Sequence, residues 1–242
     1  MDRDRYLALL EQDGRLLGTT AARDLDAAVP PCPGWTVRDA VVHTAEVYEH
    51  KILVATGRGE RPTAWRQEPP DGMGPVEWYD DALRRVIDVL RTTDPNAPSL
   101  TWWPADQTAG FWTRRMAQET AVHRADVESA FGLITPVDAE LAVDGVDEVL
   151  VQMLPGAWND EPMPDLTGTL VVSTGGRSWH VVMKPDTVDV AEGEGDADAT
   201  VTGEPSDVLL WLWGRAPDSA VKTTGDQDAV RRLRERLART TQ

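Results

Sequence analysis

Glu119 and His123 stand four residues apart in Glu119-Thr-Ala-Val-His123, and in a helix the two side chains stack on one face about 6 Å apart along the axis. The same face collects Trp112, Met116, Thr120, Val127 and Ala130, so both polar groups fall in the stripe that must turn toward a protein interior. A carboxylate there carries a heavy desolvation penalty unless a metal ion or a cationic partner neutralises it. His43 comes from a separate segment, on the flank of an apolar stripe beside Ala40 and Val47. Two imidazoles and one carboxylate make a three-ligand set, and the missing fourth protein ligand leaves a coordination position for water or substrate, the pattern of a catalytic metal. The spacing alone admits a second reading, a buried Glu119–His123 ion pair with His43 as a hydrogen-bonded core residue. His50, one heptad after His43, is a weaker candidate ligand, and Asp13, between Leu10 and Leu17, lies either at the same cavity or at a bundle end. His180 reads as a sheet residue.

The elements that must position these groups are legible as helices. Residues 5–22 put Tyr6, Leu9, Leu10, Leu16 and Leu17 on one stripe. The run Pro30-Pro31-Cys32-Pro33-Gly34-Trp35 is barred from helix, and Thr36-Val37-Arg38-Asp39 has the form of a capping box with Asp39 in place of the usual Glu or Gln. A second helix is therefore expected over 37–56. After the Gly- and Pro-rich loop 57–75, Tyr79, Ala82, Leu83, Val86, Val89 and Leu90 mark a third helix; a fourth is expected over 113–131, closed by Gly132. Four amphipathic helices bury their stripes against one another, which predicts a four-helix bundle over 1–135. Beyond Pro136 a helix at 138–154 leads into alternating runs at 170–174, 178–184, 187–191 and 199–202, then helices at 205–214 and 226–239. Residues 136–242 thus read as an α+β domain with an antiparallel sheet arranged as a meander.

Composition narrows the partners. The chain of 242 residues carries a net charge of −17, which repels nucleic acid and anionic membrane alike. No apolar run approaches the roughly 20 residues of a spanning helix, and Met1-Asp2-Arg3-Asp4-Arg5 lacks the flank and apolar core of a signal, so a cytoplasmic protein is expected. The single cysteine, Cys32, excludes an internal disulfide and a cysteine-cluster zinc site, so any metal must be held by His and carboxylate. The expected partner is a small molecule, anionic or electrophilic, acting on a monomer or small homo-oligomer.

Three segments carry a resemblance: Cys32-Pro-Gly-Trp-Thr-Val-Arg-Asp-Ala-Val-Val-His43, Glu119-Thr-Ala-Val-His123, and Asp198-Ala-Thr-Val-Thr-Gly-Glu-Pro-Ser-Asp-Val-Leu-Leu-Trp-Leu-Trp-Gly-Arg215. In this order, and over nearly the whole chain, they resemble the mycothiol-dependent maleylpyruvate isomerase family. The resemblance implies a DinB-like metal-binding four-helix bundle followed by a small α+β domain similar to a sterol carrier protein. It places the metal ligands on His43, Glu119 and His123, and implies a divalent ion, zinc in the resembling isomerases and nickel in some DinB-like bundles. It also implies mycothiol as thiol cofactor or cosubstrate: a thiol on the open metal position loses its proton and becomes a nucleophile for cis–trans isomerisation of a maleylpyruvate-like substrate. The same thiol chemistry on another electrophile makes a mycothiol S-transferase, and a metal of purely structural use makes a non-catalytic small-molecule binding protein. Arg215 is expected to grip a substrate carboxylate in catalysis, its alternative being a helix-end cation. Trp102, Trp103 and Trp112 are candidate pocket walls, and Cys32, between prolines, reads as structural.

Overall fold

Caps and prolines cut the first half of the chain into helices as the sequence pattern indicates. In the computed structural model, which describes residues 1–156 and 162–241, these are α1 (Arg3–Ala21), α2 (Val37–Thr56), α3 (Pro75–Thr92) and α4 (Ala109–Ser129). Asp2 caps α1, accepting from the Arg5 amide at 2.8 Å. The capping box of α2 has both halves, the Thr36 hydroxyl accepting from the Asp39 amide and the Asp39 carboxylate accepting from the Thr36 amide at 2.7 Å. Pro75 takes the first turn of α3, where its missing N–H costs nothing. The start of α4 differs from the expected 113: the bridge between Pro98 and Thr108, with Asp106 Oδ1 accepting from the Thr108 amide at 3.2 Å, presents Thr108 in extended form and lets the helix begin at Ala109.

Helix α1 packs on α4 and α3, and α2 packs on α3 and α4. The core between them holds Leu10, Leu17, Val41, Tyr48, Tyr79, Val86 and Met116. Gly14 lets α1 and α3 approach closely: a Cβ there would stand 2.7 Å from the Leu83 methyls, while the Tyr79 hydroxyl donates to the Gly14 carbonyl at 2.9 Å. Helix α4 is buried nearly all round, polar residues included, so Arg115, Gln118, Arg124, Asp126 and Glu128 must all find partners inside the protein. Arg124 meets Asp13 at 3.1 Å and Glu128 at 2.7 Å, and also donates to the Thr135 carbonyl at 2.7 Å.

The chain divides by contacts into two compact units, Met1–Thr135 and Pro136–Gln242. In the second, α5 (Ala139–Glu148) continues as a π turn over Val149–Met153. Five strands follow, β1 (Gly168–Thr174), β2 (Arg177–Met183), β3 (Val188–Glu192), β4 (Ala199–Thr202) and β5 (Lys222–Gly225), with α6 (Pro205–Leu212) before β5 and α7 (Gln227–Thr241) after it. The sheet order is β3-β2-β1-β4-β5. Most neighbours are antiparallel, but β4 lies parallel to β1, Leu170 beside Ala199, so the expected plain meander gives way to a crossover. Strand β5 went unread because Lys222-Thr-Thr-Gly225 is exposed or half-buried throughout and lacks apolar alternation; its strand character comes from pairing with β4. Helix α7 covers β1 and β4, and α5 packs on α6. Among the described residues no helix is long and apolar enough to cross a membrane.

Candidate metal centre

Two helices of the bundle bring three ligand-type side chains to one point. His43 lies on α2, and Glu119 and His123 lie one turn apart on α4; one ligand atom from each lies within 4.8 Å of the other two. Glu119 Oε1 is 3.6 Å from His43 Nε2 and 3.3 Å from His123 Nε2. Among the described residues this is the one group of His, Cys, Asp and Glu side chains gathered closely enough to hold a metal. His43 keeps 38% of its side chain exposed against 14% for Glu119 and 10% for His123, so the cluster is approached from the His43 side.

Sequence reasoning missed three residues around the cluster. Arg115, four residues before Glu119 on α4, forms a salt bridge to Glu119 Oε2 and leaves Oε1 to the histidines. Burial opposes ionisation of Glu119, yet Arg115 and then His123 and His43 hold its carboxyl well below the usual carboxylate range. A cationic partner is therefore already supplied by the protein, and the buried carboxylate alone does not call for a metal. Asp126, fully buried, lies 3.0 Å from His123 Nδ1, which orients the ring so that Nε2 faces Glu119. Burial works against protonation of His123, but Glu119 and Asp126 overcome it and raise its pKa to about 9 in the metal-free protein. The Trp35 ring stacks on His123, centroids 6.2 Å apart, and tilts against His43 at 5.2 Å. The i−4 spacing of Arg115 and the i+3 spacing of Asp126 were readable signals for the first two; nothing local marks Trp35 as a neighbour of His123.

The donor set fits a divalent cation. Glu119 offers one free-facing oxygen, two Nε2 atoms converge on it, and a carboxylate braces one imidazole from behind, the usual support of a ligating histidine. A bound cation would take the place of the proton that His123 otherwise holds.

The remaining candidates separate. His50 stays outside the cluster: its Nδ1 faces Lys51 Nζ at 2.8 Å and its ring packs on Trp65. Asp13 pairs with Arg124 and is likewise not part of the cluster. His180 lies in β2, where its Nε2 is 2.9 Å from the Asp196 carbonyl. Trp102 and Trp112 meet edge to face with centroids 5.2 Å apart, both near Lys51, whereas Trp103 is tied into the 101–107 turn by its own backbone. Cys32 is half-buried and in no disulfide, and its backbone joins the turn that ends at Trp35. Arg215 belongs to the second unit, just past α6, donating to the Trp213 carbonyl at 2.6 Å with its guanidinium over the Trp213 ring.

Bundle, cluster and sheet define a two-unit chain whose candidate metal centre is built by its bundle alone. The family model for the mycothiol maleylpyruvate isomerase N-terminal domain matches residues 7–128, and that for the MDMPI C-terminal domain matches residues 140–232. The chain belongs to the mycothiol-dependent maleylpyruvate isomerase family. The fold is similar to a crystal structure of the mycothiol-dependent maleylpyruvate isomerase, with a TM-score of 0.62 at 13% identity over 93% of this chain and 95% of that one. A histidine-to-alanine mutant of that enzyme aligns with a TM-score of 0.61 over the same shares. None of the curated proteins matches the sequence.

Proposed function

We infer that the chain is a metal-dependent enzyme that uses mycothiol for cis–trans isomerisation of a maleylpyruvate-like substrate, by reversible addition of the thiol to the double bond. The observation that carries this reading is the convergence of His43, Glu119 and His123, one ligand atom each within 4.8 Å, in a chain of this family. A divalent ion held there, zinc by family likeness, would supply Lewis acidity that lowers the pKa of a thiol toward neutral pH. His43 and His123 would hold it through neutral imidazole nitrogens, and Glu119 would contribute charge through Oε1, Oε2 being paired with Arg115. Asp126 holds His123 to one tautomer, and Trp35 limits rotation of both rings. Arg215 is assigned to a substrate carboxylate, for which a guanidinium offers two parallel donors. The second unit is assigned a sterol-carrier-like fold on the same family likeness, and the reaction a cytoplasmic setting.

Elemental analysis with a turnover assay tests this. The wild type should carry about one divalent ion per chain and require added mycothiol, and His123→Ala should lose the ion. Cys32→Ser should keep most turnover. Retention of metal by His123→Ala, or turnover without any small thiol, would sink the reading; mycothiol consumption with a stable conjugate as product would turn it to an S-transferase.

A further inference from the structure

Lys51 is a largely buried cation with no carboxylate in salt-bridge range among the described residues. It stands on α2 eight residues after His43, about 12 Å further along the helix axis. Opposite it on α4 is Trp112, seven residues before Glu119, so the helices run antiparallel here and present the ligand cluster at one level and Lys51 with Trp112 at the next. The ammonium sits over the Trp112 ring, 4.4 Å from its centroid, and 6.0 Å from that of Trp102. Its one hydrogen-bond partner among the described residues is His50 Nδ1 at 2.8 Å. His50 brings no counter-charge: burial, then Lys51 and Arg61, push its pKa down to about 4, so its ring is neutral and accepts. The other deeply buried cations of this unit are matched, Arg115 with Glu119 and Arg124 with Asp13 and Glu128. Glu119 attracts Lys51 from a distance, but its oxygens already face Arg115 and the two histidines. Burial foremost, opposed by Glu119 and reinforced by Arg115, lowers Lys51 to about 8.

We propose that Lys51, walled by the indoles of Trp102 and Trp112, is the subsite that holds a carboxylate of a flat, conjugated substrate whose reacting carbon lies at the His43–Glu119–His123 cluster. This rests on the proposed function for the second half of the statement and on the Lys51 surroundings for the first. A ligand carboxylate supplies the missing counter-charge, and the indole faces favour a planar acid over a tetrahedral anion.

Isothermal titration of the full chain, metal-free and zinc-loaded, with maleate and with inorganic phosphate tests it. Maleate should bind the metal-free protein, and Lys51→Met, which keeps the stem and removes the charge, should weaken it about tenfold or more with unchanged Tm and zinc stoichiometry. Lys51→Arg should restore binding. In the wild type, maleate affinity should fall as pH rises through about 8, since deprotonation of Lys51 removes the charge, and Lys51→Arg should abolish that fall while His123, at about 9, still titrates. This profile tests the subsite even if Lys51→Met fails to fold. The groups facing Lys51 are His50, already neutral, Arg115, and Glu119, whose carboxyl Arg115 and then His123 hold well below the usual carboxylate range. No maleate binding, equal binding by Lys51→Met, a flat pH profile, phosphate binding as tight as maleate, or loss of zinc together with maleate in Lys51→Met each overturns the subsite. A wild type that binds maleate through Lys51 but no zinc overturns the proposed function and leaves the subsite standing.

Discussion

Asp126 supplies no ligand atom to the cluster, yet it decides how His123 can use its ring. With Oδ2 held 3.0 Å from Nδ1, the imidazole presents Nε2 toward Glu119 and cannot flip without breaking a fully buried contact. Asp126→Asn keeps size and one acceptor but removes the charge that makes His123 a better donor. Zinc affinity should fall about 10–100-fold, read by competition with a chelating dye, while the fold persists. Unchanged affinity would mean that packing alone orients the ring. Arg115 acts on the opposite side of Glu119 and explains why a buried carboxylate tolerates the metal-free state at all. Glu119 and His123 were readable from their spacing on one helix face; that Arg115 would turn to the same carboxylate depended on α4 being buried on nearly every side, which is a property of the assembled bundle.

At the scale of elements, α2 is positioned by its start. Thr36 and Asp39 close a reciprocal capping box, and His43 sits in the second turn after it. Thr36→Ala should cost about 1 kcal/mol in urea unfolding. It should also weaken zinc binding, because fraying of the first turn loosens both His43 and the adjacent Trp35. The Thr36 hydroxyl, then its amide, hold the Asp39 carboxyl below its ordinary range. The ionic half of the box is thus present in full above the unfolded carboxylate pKa and is lost as pH falls through the depressed value. Wild type and Asp39→Asn should therefore converge in stability in acid; a gap that persists there would place the stabilisation elsewhere. The box was legible because Thr-x-x-Asp after a proline run is a local signal. The early start of α4 was not, since it follows from a bridge between Pro98 and Thr108 that no local pattern announces.

For the whole molecule, His43, Glu119, His123 and Lys51, the proposed ligands and subsite, fall within Met1–Thr135, whereas Arg215 falls in the second unit. A fragment of residues 1–135 should therefore bind zinc at the full-length stoichiometry and turn over poorly. Arg215→Ala in the full chain should raise KM for an anionic substrate with metal content unchanged, consistent with loss of a charged hydrogen bond of about 1.5–3 kcal/mol. Unaltered kinetics would leave Arg215 as the cation that meets the Trp213 carbonyl beyond α6. The sequence by itself determined the four amphipathic helices, the capping box, most strands, and the stacking of Glu119 over His123, because each depends on periodicity or chemistry within one turn or one strand. Only the tertiary structure decided that β4 runs parallel to β1 and that β5 is a strand, because a pairing partner lies elsewhere in the chain. It alone also removed His50 and Asp13 from the candidate ligands and set Lys51 against two tryptophans: which polar groups meet across helices depends on how α2 and α4 rotate when their apolar faces pack, and no spacing along one chain segment records that rotation.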